Sequence, residues 1–85
     1  MSDVQSLCQL DSGWTAAVEA LRGGHGFRSR LAALGFTPGA RITMLQNVGH
    51  GPIIVTLRDT RIALGRAEAN RILVVSDRDA ANGRA

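Results

Sequence analysis

Phe27-Arg28-Ser29-Arg30-Leu31-Ala32-Ala33-Leu34-Gly35-Phe36-Thr37-Pro38-Gly39-Ala40 is the stretch on which the reading of this chain turns. Phe27, Leu31 and Leu34 stand at i, i+4 and i+7, one apolar stripe of a short helix, and Arg28, Ser29 and Arg30 fall on its other side. Gly35 can take the left-handed conformation that ends many helices, and Phe36 can then fold back on Leu31 as the apolar contact of a Schellman ending. Thr37 to Ala40 reads as a type II turn, because proline presets the first central position and glycine accepts positive φ at the second. The chain therefore makes a short helix, reverses, and enters a strand at a set angle.

The segments on either side read as short strands. Downstream, Ile42, Met44 and Gln46 alternate with Arg41, Thr43 and Leu45 up to Val48, and Ile53, Val55 and Leu57 alternate with Ile54, Thr56 and Arg58. Gly49-His50-Gly51-Pro52 joins these two, and Arg58 to Arg61 is the next reversal. Ile62 and Leu64 then share a face, Gly65 to Asn70 reads as one helical turn, and Arg71 to Val75 is the closing strand. Upstream, Trp14 to Leu21 lies between the turn signals Asp11-Ser12-Gly13 and Arg22-Gly23-Gly24. It reads as a strand with Ala16 and Val18 on one face, although its alanine and leucine content also suits a helix. Leu7 to Leu10 is an opening strand or packed extended segment, and Met1 to Ser6 a polar lead-in. Short strands at this spacing predict a mainly β fold: a small barrel with one short inserted α-helix over residues 1–75, followed by a flexible polar tail over 76–85. Barrel closure is expected because it removes edges that so short a chain could not cover.

Composition narrows the function classes. A chain of 85 residues holds one modest core and no deep catalytic cleft. Aromatics are only 4%, so the core must be built from Ile, Leu, Val and Ala. The net charge of +3 comes with ten basic residues spread among acids, a weak cationic character rather than a nucleic-acid-scale field. Cys8 is the one cysteine, which excludes an internal disulfide and reads as a buried apolar thiol. The N-terminus lacks the pattern of a signal peptide, and no apolar run approaches the roughly 20 residues of a membrane span. A cytoplasmic protein in a reducing compartment is the expectation.

The order Leu31-Ala32-Ala33-Leu34-Gly35-Phe36-Thr37-Pro38-Gly39-Ala40, Gly51-Pro52-Ile53, Ile62-Ala63-Leu64, Glu68-Ala69 and Ile72-Leu73-Val74 resembles the FeoA family of small bacterial proteins. The likeness covers roughly residues 6 to 75. It departs from the family pattern at Asn47-Val48, where an Ala-Pro-like pair is frequent, and at Gly65-Arg66, where a bulkier residue is common. The resemblance implies an SH3-like barrel with an inserted helix. It also implies a non-enzymatic accessory role in ferrous iron uptake, through interaction with the cytoplasmic part of the membrane transporter FeoB. On that reading the protein meets the membrane only through its partner. A similar domain ends the repressors of the diphtheria toxin repressor type, but this chain has no winged-helix segment.

Candidate site residues are few. His25 and His50 are the only histidines, each flanked by glycines, and each reads as an exposed loop residue. A transition metal needs three or four convergent donors. No such spacing exists here, so no cofactor is expected, and zinc or iron could be held only opportunistically at His25 or His50. No serine stands in a nucleophile-elbow context, and Gly23-Gly24-His25-Gly26 lacks the Gly-Lys-Ser/Thr of a phosphate loop, so no enzyme is expected. Arg22, Arg28 and Arg30 form a basic rim beside the helix. With Leu45 and Ile54 as exposed apolar anchors, they are the partner-binding candidates, against a plain solvated helix face. A homo-oligomer is compatible with the same surfaces. The second reading is a nucleic-acid-associated SH3-like barrel, for which Trp14, Phe27 and Phe36 make a poor stacking platform.

Overall fold

The computed structural model describes residues 4–76. Six strands, β1 (Val4–Ser6), β2 (Thr15–Leu21), β3 (Arg41–Gln46), β4 (Ile53–Leu57), β5 (Thr60–Leu64) and β6 (Ile72–Ser76), form one sheet in the order β1-β6-β2-β3-β4-β5. Every pairing is antiparallel. Helix α1 (His25–Leu34) is inserted between β2 and β3, and the single turn α2 (Arg66–Ala69) between β5 and β6. One face of the sheet carries the core: Ala16 and Val18, Ile42 and Met44, Ile53, Val55 and Leu57, Leu64, Ile72 and Val74 are all buried, together with Leu7, Leu10, Leu31, Phe36 and Ala69. The faces read for Ala16 and Val18 in β2, for Ile42 and Met44 in β3, and for Ile53, Val55 and Leu57 in β4 are thus the inner face.

Four segments differ from expectation. Val4–Ser6 belongs to the sheet rather than to a lead-in, pairing Val4 with Val75 and Ser6 with Leu73. Leu7–Gln9 is a 3₁₀ turn, not an opening strand; its start is capped by Ser6 Oγ, which accepts from the Cys8 N–H at 3.0 Å. Leu7 and Leu10 both enter the core, and residues three apart share a face of a 3₁₀ turn but oppose each other on a strand. In β3 the register shifts between Met44 and Gln46, so the Ile42, Met44 alternation ends in a bulge at Leu45 and the strand stops at Gln46, short of Val48. β6 runs through Ser76, one residue into the segment expected as tail, and 77–85 lie outside the described residues.

The reversal after α1 is built as its residues dictate. The Gly35 N–H donates to Ala32 O at 2.9 Å and the Phe36 N–H to Leu31 O at 3.1 Å, the two bonds of a Schellman ending, with Gly35 at φ 113°. Ala40 N–H donates to Thr37 O at 2.9 Å with Gly39 at φ 88°, a type II turn. That turn is also stitched to β2, since Gly39 N–H reaches Val18 O at 2.7 Å and Val18 N–H reaches Ala40 O at 2.8 Å. The expected helix stripe is only partly realised. Leu31 is buried, Phe27 is half-buried, and Leu34 is 50% exposed. A helix laid on the barrel rim by a hard reversal touches the core through one turn, and Phe36, fully buried just past the glycine, fills the place a third stripe residue would have taken.

The two end strands, β1 and β5, do not pair with each other. Their seam is closed by the 3₁₀ turn and α2, which touch, with Cys8 Sγ donating to Arg66 O at 3.4 Å. The Cys8 thiol is therefore half-buried and hydrogen-bonded rather than a purely apolar core group. The carboxamide of Asn47 ties this seam to the end of β3. Its Nδ2 donates to Cys8 O and Leu10 O, both at 2.8 Å, and its Oδ1 accepts from Arg66 Nη2 and from the Gly49 N–H at 3.3 Å. Asn47 N–H in turn donates to Ser12 Oγ at 2.9 Å. The two departures from the family pattern, Asn47-Val48 and Gly65-Arg66, thus meet in one hydrogen bond.

Substitutions at three places test these readings. Gly35→Ala meets both a positive φ and the Leu57 Cδ2, which a Cβ would approach to 3.0 Å. It should cost about 2 kcal/mol in urea unfolding. Asn47→Ala strands two carbonyls and should cost about 2 kcal/mol. Arg66→Ala should cost less because Arg66 Nε is already buried without a partner among the described residues, and the double-mutant cycle should return a coupling of about 1 kcal/mol. At the β4–β5 hairpin Arg58 and Asp59 both have positive φ, 54° and 64°, the two-residue type I′ geometry that Asn-Gly fills best. Arg58→Asn combined with Asp59→Gly puts at both positions residues that tolerate this backbone, and should raise stability by about 1 kcal/mol in the same unfolding assay.

Candidate functional site

Helix α1 divides one rim of the barrel into two grooves. At 100° per residue, His25, Arg28, Ser29 and Ala32 form one flank and Phe27, Arg30 and Leu34 the opposite one, with Leu31 between them pointing into the core. The first flank faces the end of β2, where Glu19, Ala20 and Leu21 complete an open groove of about 460 Å³. A bulge between Val18 and Ala20 turns this end of β2. Within the groove Ser29 Oγ and His25 Nε2 lie 3.4 Å apart, one helical turn from each other.

The second flank faces α2 and the start of β6. Phe27, Arg30, Ala67, Glu68 and Arg71 line a smaller groove of about 290 Å³. Arg30 Nη2 donates to Glu68 Oε2 at 2.8 Å, while Glu68 Oε1 accepts from the Gly65 N–H at 3.2 Å and caps α2. Glu68 therefore both caps α2 and pairs with the rim. The guanidinium carbons of Arg30 and Arg71 stand 5.7 and 5.8 Å from the centroid of the Phe27 ring.

The candidate residues read from the sequence do not form one surface. Arg22, Arg28 and Arg30 are all exposed, but Arg28 belongs to the larger groove and Arg30 to the smaller. Leu45, 41% exposed, lies at the β3 bulge on a different hairpin, and Ile54, the register partner of Gln46, is half-buried rather than exposed because it sits within β4 beside β3 and β5. Val48, 62% exposed, is the stronger apolar feature of that hairpin. His25 is the first residue of α1 rather than a loop residue, and His50 is exposed in the β3–β4 connection. Among the described residues no three His, Cys, Asp or Glu side chains converge where a metal ion could be held. No helix among them is long and apolar enough to cross a membrane. The pairing of Phe27 with Arg71 was not legible in the sequence, because the two are brought together only by the return of β6 beside β2.

The sequence matches the FeoA domain model over residues 5–76. Among solved structures, an iron uptake regulatory protein, FeoA, superposes with a TM-score of 0.81 at 35% identity, over 87% of this chain and 99% of that one. FeoA of Stenotrophomonas maltophilia, solved with zinc, is described as a procaryotic SH3 domain protein and a possible ferrous iron transport activating factor. It superposes with a TM-score of 0.75 at 33% identity, over 82% of this chain and 88% of that one. A manganese-dependent transcriptional repressor shares the fold, with a TM-score of 0.79 at 23% identity over 89% of this chain and 43% of its own. Comparison with curated proteins gives no match. The class is that of small SH3-like domains, as the resemblance implied, and the mainly antiparallel β sheet with one short inserted helix is what the strand pattern led to. Within that class the chain belongs to the FeoA family.

Proposed function

We propose that this protein is a non-enzymatic accessory factor of ferrous iron uptake that acts in the cytoplasm by docking on the cytoplasmic part of the FeoB transporter. The observation that carries the reading is the family match over residues 5–76, nearly the whole described chain. The description of the S. maltophilia relative as a possible ferrous iron transport activating factor supports it. An activating factor without a catalytic constellation works through contact, and this chain offers a contact surface of suitable chemistry. Exposed arginines flank grooves on both sides of α1, and arginine is a favoured anchor in protein interfaces because its planar fork pairs with carboxylates while its stem covers apolar surface. Arg22, Arg28 and Arg30 are the proposed docking residues on the helix rim, with Leu45 and Ile54 on the β3–β4 hairpin as a second contact.

The test is a pull-down followed by calorimetry with the soluble cytoplasmic domain of a FeoB from the same source, at low and at moderate salt. Binding that survives moderate salt, and whose Kd rises about three- to tenfold in an Arg22→Ala, Arg28→Ala double variant, is the expected result. Absence of binding at both salt concentrations overturns it. Binding of an oligonucleotide that collapses with salt would instead favour the nucleic-acid-associated reading.

A further inference from the structure

The smaller groove beside α1 holds a built arrangement that the docking role has not used. The ring of Phe27 is seated against the backbone of Gly23, where a Cβ would come within 3.0 Å of it, and the Arg71 stem lies 3.7 Å from the same point. Arg30 and Arg71 both stand over this ring, yet their charges differ in effect. Arg30 is matched by Glu68 at 2.8 Å, whereas Arg71 has no ion pair among the described residues and its guanidinium meets the ring alone. Arg22 adds a second exposed guanidinium, its backbone N–H bonded to Arg71 O at 2.8 Å. The adjacent start of α1 follows Gly24, without a side-chain cap and without an acid in its first turn, so the helix's own residues leave its positive field unmatched.

We propose that this groove recognises carboxylates, taking an acidic, glutamate-bearing segment of a protein partner whose carboxylate pairs with the fork of Arg71 while its methylenes lie on the Phe27 ring. The chemistry favours glutamate over phosphate. Glu68 forms one wall and occupies Arg30, which leaves a single unmatched fork beside an apolar ring. Arg22 lies outside the groove lining, so within it one carboxylate on an aliphatic stem meets both the fork and the ring, whereas a phosphate carries more charge toward Glu68 and has no apolar stem for the ring. The proposal deepens the docking role by naming the partner's chemistry, and it rests on that reading only for the partner's identity.

The experiment is a titration of the ¹⁵N-labelled full chain with a capped hexaglutamate peptide, following the arginine Nε–Hε and backbone amide resonances, with a thymidine oligonucleotide as the competing probe. Saturable shifts at Phe27, Arg30 and Arg71 are expected. Arg71→Gln should raise the Kd about fivefold, and Arg71→Lys should raise it less, because a point charge keeps part of the attraction. Glu68→Gln keeps the Gly65 cap acceptor while freeing Arg30, and should lower the Kd about twofold. Arg61→Gln, an equal charge loss on exposed β5, should leave it unchanged. Equal effects of Arg61→Gln and Arg71→Gln, or an oligonucleotide that binds more tightly and loses affinity in Arg71→Gln, overturns the proposal. A parallel titration with the FeoB domain separates the two ideas. Hexaglutamate binding at Arg71 without FeoB binding leaves this site standing and removes the docking partner. FeoB binding indifferent to Arg71→Gln, with no hexaglutamate shifts, removes this site alone.

Discussion

The end strands of this sheet, β1 and β5, share no ladder, and the structure depends on what joins their seam. The carboxamide of Asn47 does so by reaching from the end of β3 to two carbonyls of the 3₁₀ segment and receiving the guanidinium of α2. The bonds share one carboxamide and hold two backbone segments and a guanidinium in fixed positions, so the cluster is worth more as a unit than its bonds taken singly. Closure by side chain rather than by strand pairing also explains how residues 4–76 bury fifteen core residues with so few aromatics: the 3₁₀ turn and α2 cap the open seam with Leu7, Leu10 and Ala69.

Helix α1 is held differently. Its ion pair with Glu68 joins side chains that are 59% and 39% exposed, an interaction of about 0.5 kcal/mol in water. Burial of Leu31 contributes about 2 kcal/mol, and the reversal through Gly35 and Phe36 sets the angle at which the helix leaves the barrel. A helix anchored along one line has two open flanks, and both became grooves. The division of the arginines between them follows from the helical period: Arg28 and Arg30, two residues apart, stand about 160° from each other around the axis.

Much of the architecture was legible in the residues. The Gly35-Phe36 and Pro38-Gly39 signals specified local backbone states that hold in any context, and they appear as read. The inner faces of β2 and β4 followed from alternation because each is flanked on one side by core. Reading failed where a local pattern was overridden by a neighbour. Leu7 to Leu10 looked extended, but two leucines three apart had to enter one core, and Leu34 continued a helical stripe whose last turn the barrel does not reach. Ile54 was read as an exposed anchor, but on the outer face between Gln46 of β3 and Ala63 of β5 it is half-buried.

The sequence by itself determined the turns, the strand periodicity and, through the order of its motifs, the family, because glycine and proline act on the backbone directly and alternation reports which face meets the core. Tertiary structure alone decided the seam and the sites. Asn47 and Arg66 are 19 residues apart, and Phe27 and Arg71 meet only because β6 returns beside β2. Contacts of that kind depend on distances set by sheet order, a quantity that no local pattern encodes.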